Sequence, residues 1–142
     1  MTIRPDVIRR KLLDITTAVA HLRGWLPVTR ERLERDQQLR WAVERGLHVA
    51  AEGLFDTGAY ILTSEFQEAV DEYAQIAVAL QARGVLRDAT AKRLKGLAGF
   101  RNILVHEYAR IDLDRIVVGL ERLDDLSAFV EDIEAWLTGA GA

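Results

Sequence analysis

The chain has 142 residues, 49% of them apolar and 29% charged, with 19 lysines and arginines against 22 acids, a net charge of −3 and no cysteine. That size and balance fit one globular domain spanning residues 1–142 and exclude a disordered chain, a disulfide framework, thiol catalysis and cysteine-ligated zinc. No apolar run approaches the roughly eighteen residues that cross a bilayer, and MTIRPDVIRRKLL interrupts its apolar residues with charges, so a cytoplasmic protein without membrane contact is expected.

Ile8, Leu12, Ile15, Val19 and Leu22 recur at spacings of four and three, which predicts an amphipathic helix from about Pro5 to Arg23, with Pro5 in its first turn. Gly24 and Pro27 bracket a short break. One long helix is expected from Arg30 to about Tyr60, opened by the pairs Glu31/Arg35, Asp36/Arg40 and Arg40/Glu44 and continued by Val43, Leu47, Ala51 and Leu54. Ala42, Gly46, Ala50 and Gly53 draw a stripe of small residues along it. Glycine inside a helix costs about 1 kcal/mol against alanine, and close approach of another helix offsets that cost. Glu44 and His48 share a face and are read as a hydrogen-bonded pair, because no second His or Cys cluster completes a metal site.

Ser64-x-x-Gln67 has the form of a capping box and predicts a third helix to about Arg83, ended by Gly84, with Phe66, Val70, Tyr73, Ile76 and Leu80 facing inward. Asp88 is expected to cap a fourth helix from Ala89 to about Tyr108, with Leu94, Leu97, Ile103 and Leu104 in the core and Gly96 and Gly99 free for close contact. Asp112 or Asp114 then caps a last helix carrying Ile116, Leu120, Leu123, Val130, Ile133 and Leu137, which ends near Gly139. With no strand-like alternation and no repeat, the expected fold is all-α, an up-and-down bundle of about five helices, four of them forming the core.

Charge is unevenly placed along the C-terminal half. Arg87 to Arg110 holds six bases (Arg87, Lys92, Arg93, Lys95, Arg101, Arg110) against Asp88 and Glu107, a block of +4. Asp112 to Glu134 holds eight acids against Arg115 and Arg122, a block of −6. A local positive surface on an acidic chain can hold a phosphate backbone at one place; two solvated helix faces of opposite sign explain the same pattern equally well.

Inside the basic block, FRNILVHEY, Phe100 to Tyr108, gathers Arg101, Asn102, His106 and Tyr108. Arginine supplies a permanent forked cation suited to phosphate, and histidine gives and takes protons near neutral pH. With sixteen arginines and three histidines, roughly a third of one Arg-x4-His match is expected by chance. Asn102, the sole asparagine, beside the arginine and Tyr108 two after the histidine make the whole string specific. On a helix Arg101 and Tyr108 share nearly one line, whereas Arg101 and His106 stand about 140° apart, so two copies focus both groups on one phosphate better than one copy does. His106 is the candidate general acid or base, Arg101 the phosphate clamp and Asn102 a supporting amide.

This string resembles the Arg-Asn-x3-His-x-Tyr signature of the HepT-like branch of the HEPN superfamily. The resemblance extends through RWAVERGLHVAAEGLFDTGAYIL upstream and ARIDLDRIVVGLERLDDL downstream. HEPN proteins are small helical domains, many of them RNases, and HepT-like ones resemble toxins encoded beside a minimal nucleotidyltransferase of the MNT type. The resemblance implies a homodimer with Arg101 and His106 of both protomers in a composite cleft, cutting an RNA substrate without metal or cofactor. It also implies an MNT-type nucleotidyltransferase antitoxin as partner and control by adenylylation of Tyr108. The alternative is a non-catalytic helical adaptor that binds a nucleotide or a nucleotidyltransferase through the same surface. A cofactor-binding bundle is disfavoured because no Glu-x-x-His pair occurs.

Overall fold

The computed structural model describes residues 3–97 and 112–139, and among them every regular element is helical. In chain order they are α1 (Pro5–Trp25), α2 (Arg30–Arg35), α3 (Gln37–Phe66), α4 (Tyr73–Ala82), α5 (Asp88–Arg93) running into a 3-10 turn (Leu94–Gly96), α6 (Leu113–Leu120) and α7 (Leu123–Gly139). α1 lies between α3 and α7. Gly46 of α3 faces Leu22 and Gly53 faces Ile15, so α3 runs antiparallel to α1. Arg9 pairs with Glu134 and Arg23 with Asp124, so α7 also runs antiparallel to α1. The result is an up-and-down helical bundle with one connected core.

The stripe of Ile8, Leu12, Ile15, Val19 and Leu22 is buried throughout, as are Val43, Leu47, Ala51 and Leu54. The small residues do what their spacing predicts. A Cβ on Gly46 would stand 2.8 Å from Leu22 Cδ2, and one on Gly53 would stand 2.7 Å from Ile15 Cγ1. Gly58, outside that stripe, plays the same part toward α4, where a Cβ would run into Ile76 Cγ2.

Several boundaries differ from the sequence reading, each for a local reason. The expected single helix from Arg30 to Tyr60 is two, because Asp36 leaves the helical region and its carboxylate accepts the Leu39 N–H at 3.0 Å as the cap of α3. Asp36 therefore makes no side-chain pair with Arg40, whereas Arg40 does reach Glu44 at 3.8 Å. α3 also runs six residues beyond Tyr60, carried by buried Ile61 and Leu62.

Ser64 and Gln67 close α3 rather than opening the next helix. Gln67 takes a left-handed backbone with φ 51°, its side-chain amide donates to Ser64 O at 3.3 Å, and the Glu68 N–H reaches back to Leu62 O at 2.9 Å. An i,i+3 polar pair fits either end of a helix, and the apolar run before it decides which. α4 starts only at Tyr73, so Phe66 and Val70 pack on the core from outside it. It ends as expected at Gly84, which has φ +75°.

Asp88 sits in the first turn of α5 and accepts from Gln81 Nε2 at 2.9 Å instead of capping. The expected last helix is two, α6 and α7, separated by the turn at Glu121 and Arg122. Asp112 caps α6, accepting from the Asp114 N–H at 2.9 Å. Within α7 the largest fully buried side chain is Phe129, with Ile133 and Leu137, while Val130 is only partly buried. Ile103, Leu104 and Gly99 lie outside the described residues.

If close helix approach is the reason for these glycines, Gly58→Ala should destabilise by about 1–3 kcal/mol, the overpacking term outweighing the helix-propensity gain. Gly24→Ala, in open space at the end of α1, should instead stabilise by up to about 1 kcal/mol. Urea denaturation of both variants checks this; a Gly58→Ala protein as stable as the parent would sink the packing argument.

Candidate functional site

Arg101, Asn102, His106 and Tyr108 all fall outside the described residues. What can be built upward is the frame on either side: residues 84–97 leading in and 112–125 leading out.

The leading side begins where Gly84 turns the chain, the Val85 N–H donating to Leu80 O at 2.9 Å, and Val85 and Leu86 are buried. Arg87 follows on an extended backbone. Its N–H donates to Asp132 Oδ2 at 3.0 Å and its Nε to Oδ1 at 2.7 Å. The Asp132 side chain is 3% exposed, so Arg87 is the cation that makes burial of this carboxylate affordable. From there Thr90, Ala91, Leu94 and Leu97 turn inward and Lys92, Arg93, Lys95 and Gly96 outward. Leu94 and Leu97 thus take the core positions expected of them.

The end of this stretch is tied to the α6–α7 corner. Arg122 Nε donates to Asp125 Oδ2 at 3.0 Å, its Nη2 donates to the carbonyl of Arg93, and Arg93 Nε stands 3.9 Å from Asp125 Oδ1. Gly96 leaves room for this guanidinium, since a Cβ there would stand 3.0 Å from Arg122 Nη1. The trailing side is fixed by buried Ile116 and Leu120 and by Asp114, which accepts from Arg30 Nη1 at 2.6 Å. Arg30 also bonds Glu34 at 2.9 Å, and these two carboxylates, Glu34 first, hold its guanidinium more firmly protonated than usual.

The acids of this block are mostly exposed, yet much of the block is paired across elements. Asp114, Asp124, Asp125, Asp132 and Glu134 each reach an arginine of another element or corner: Arg30, Arg23, Arg93, Arg87 and Arg9. The sequence reading missed these partners because they lie as far apart as 125 residues.

Elsewhere, the expected Glu44–His48 pair does not form. His48 Nε2 stands 3.7 Å from Glu52 and Glu44 turns to Arg40, with burial pushing the Glu44 carboxyl upward against the opposing pull of Arg40. Among the described residues no three of His, Asp and Glu gather as a metal ion requires. No described helix is long and apolar enough to cross a membrane.

Comparison with known proteins supplies what the frame alone does not. The family model described as ribonuclease HepT-like matches residues 15–133, an interval that contains the Arg101 to Tyr108 string. A proposed RNase of Archaeoglobus fulgidus is 27% identical over 96 residues, covering 68% of this chain and 72% of that one. Among solved structures, a tri-AMPylated HEPN toxin of Shewanella oneidensis in complex with MNT antitoxin superposes with TM-score 0.79 at 22% identity, over 92% of this chain and 98% of that one. YutE of Bacillus subtilis, a cytosolic protein of unknown function, superposes with TM-score 0.84 at 19% identity, over 97% and 93%. These structures share the fold, and the family match across residues 15–133 establishes that the chain belongs to the ribonuclease HepT-like family.

Proposed function

We propose that this protein is the toxin of a HepT/MNT-type toxin–antitoxin pair, a single-domain cytoplasmic endoribonuclease that works as a homodimer without metal. The observation that carries this is the match of the family over residues 15–133 with Arg101, Asn102, His106 and Tyr108 in the spacing of the family's string. The chemistry follows from the residue types. The substrate's own 2′-hydroxyl attacks the adjacent phosphorus to form a 2′,3′-cyclic phosphate as the bond to the 5′-oxygen breaks; His106 takes the hydroxyl proton or gives one to the departing 5′-oxygen, and Arg101 neutralises the charge that builds on the phosphate. Asn102 orients the histidine or the scissile group. Arg101 and His106 of two protomers together make one site.

The partner in this proposal is an MNT-type nucleotidyltransferase that silences the toxin by transferring adenylate from ATP to the Tyr108 hydroxyl, with pyrophosphate as the leaving group. The Shewanella oneidensis toxin, solved in its tri-AMPylated form with MNT antitoxin, supports that reading. An adenylate ester adds a phosphate anion and a base beside a guanidinium that RNA also needs, so it competes by charge and by bulk.

The purified chain should run at twice its monomer mass in light scattering and cleave RNA in the presence of chelator, leaving cyclic phosphate ends. Arg101→Ala and His106→Ala should each lower cleavage by at least about a hundredfold with helical content unchanged. Cleavage that appears only on adding a divalent metal would defeat the mechanism, and an inert parent dimer would favour the adaptor alternative.

Tyr108→Phe keeps the ring and removes the acceptor oxygen. Co-expressed with the nucleotidyltransferase, it should remain toxic and gain no adenylate in intact-mass measurement, whereas the parent gains mass and loses toxicity. Adenylate found on the Phe variant would rule out Tyr108 as the control point.

A further inference from the structure

Of the six bases between Arg87 and Arg110, Arg101 and Arg110 lie outside the described residues and Arg87 is committed to Asp132. Lys92, Arg93 and Lys95 remain, all exposed, and Arg122 joins them from the α6–α7 corner by donating to the Arg93 carbonyl. Lys92 and Lys95 are three residues apart where α5 tightens into the 3-10 turn, and at that pitch residues i and i+3 eclipse. Both ammonium groups therefore stand over one face, with Ala91, Leu94 and Leu97 buried behind them.

Among the described residues, neither lysine meets an acid, and Asp125 is the carboxylate that touches the cluster, shared between Arg93 and Arg122. Four cations thus face one carboxylate. No apolar side chain is exposed between Lys92 and Leu97, so the face lacks the dry centre of a protein–protein interface.

We propose that Lys92, Arg93, Lys95 and Arg122 form a shelf for the phosphodiester backbone of single-stranded RNA, six residues before Arg101 in the sequence. The proposal rests on the RNase reading and adds where the strand lies outside the cleavage site. The lysines act as compact point charges on neighbouring phosphates, and Asp125 holds the two guanidiniums in fixed orientation, so binding is independent of base identity and strongly salt-dependent.

The test is anisotropy of a fluorescein-labelled single-stranded RNA of mixed sequence on the full-length chain carrying His106→Ala, across a salt series. Adding Lys92→Ala and Lys95→Ala together should reduce the slope of log affinity against log salt by about 1.4, two contacts at about 0.7 each. In the otherwise native chain the same pair should raise KM several-fold, and by more than it lowers kcat. Arg10→Ala, an exposed cation on α1, serves as the control and should leave the slope where it was.

An unchanged slope in the lysine variant, with cleavage still lost in Arg101→Ala, overturns the shelf alone. RNA affinity retained while binding to the nucleotidyltransferase is lost would also overturn it and give this face to an acidic protein. A parent chain that neither binds nor cuts RNA removes both the shelf and the RNase reading.

Discussion

Leu22 and Ile15 of α1 occupy the space in which Gly46 and Gly53 of α3 would otherwise carry a Cβ, and this contact sets the separation of the two longest helices. The rest of the frame is referred to it in sequence. α1 holds α7 along its length, through Arg9 and Glu134 at one end and Arg23, Asp124 and Ser127 at the other. α7 in turn holds α5 through Asp132 and, at the α6–α7 corner, through Asp125 and Arg122. The residues that lead into Arg101 are thereby positioned by a relay that starts at two glycines fifty residues upstream.

The polar links in that relay differ in kind. Arg23 with Asp124 and Arg30 with Asp114 are exposed pairs, with side-chain exposure of 46% and 86% in the first and 51% and 63% in the second. Such exposed pairs add little to stability, and their value is in choosing which helix faces which. The Arg87–Asp132 link is different because the carboxylate is buried and accepts two N–H groups, one of them main chain. It sets both the direction of the Arg87 side chain and the path of the backbone entering α5.

What was legible in the sequence follows the range of the forces involved. The apolar stripes of α1 and α3, the glycine stripe and the Gly84 stop are local periodicities, and the helices obey them. The ends of α3 were misread because an Asp with helical neighbours on both sides, Asp36, is a cap only if the chain bends there, and Ser64 with Gln67 fits either end of a helix. The split of the last helix at Glu121 and Arg122 likewise goes with a tertiary contact, as Arg122 in that turn bonds the Arg93 carbonyl. Charge was the least legible. A count of +4 beside −6 suggested two faces, yet five of the eight acids reach arginines on α1, on α2 and along the stretch from Arg87 through α5. For the Arg101 to Tyr108 string, residue types and spacing alone pointed to the family whose model matches residues 15–133, with no help from packing.

The exposure of these ion pairs separates two properties of the molecule. Mobile ions at physiological strength shorten the reach of surface charges to about 8 Å, whereas the apolar contacts of α1 with α3 and α7 are indifferent to such ions or strengthened by some of them. Rising ionic strength therefore weakens attraction between this surface and any charged partner well before it loosens the fold. In a protein built this way the ionic composition of the surroundings acts on encounters with charged partners, with the architecture left intact.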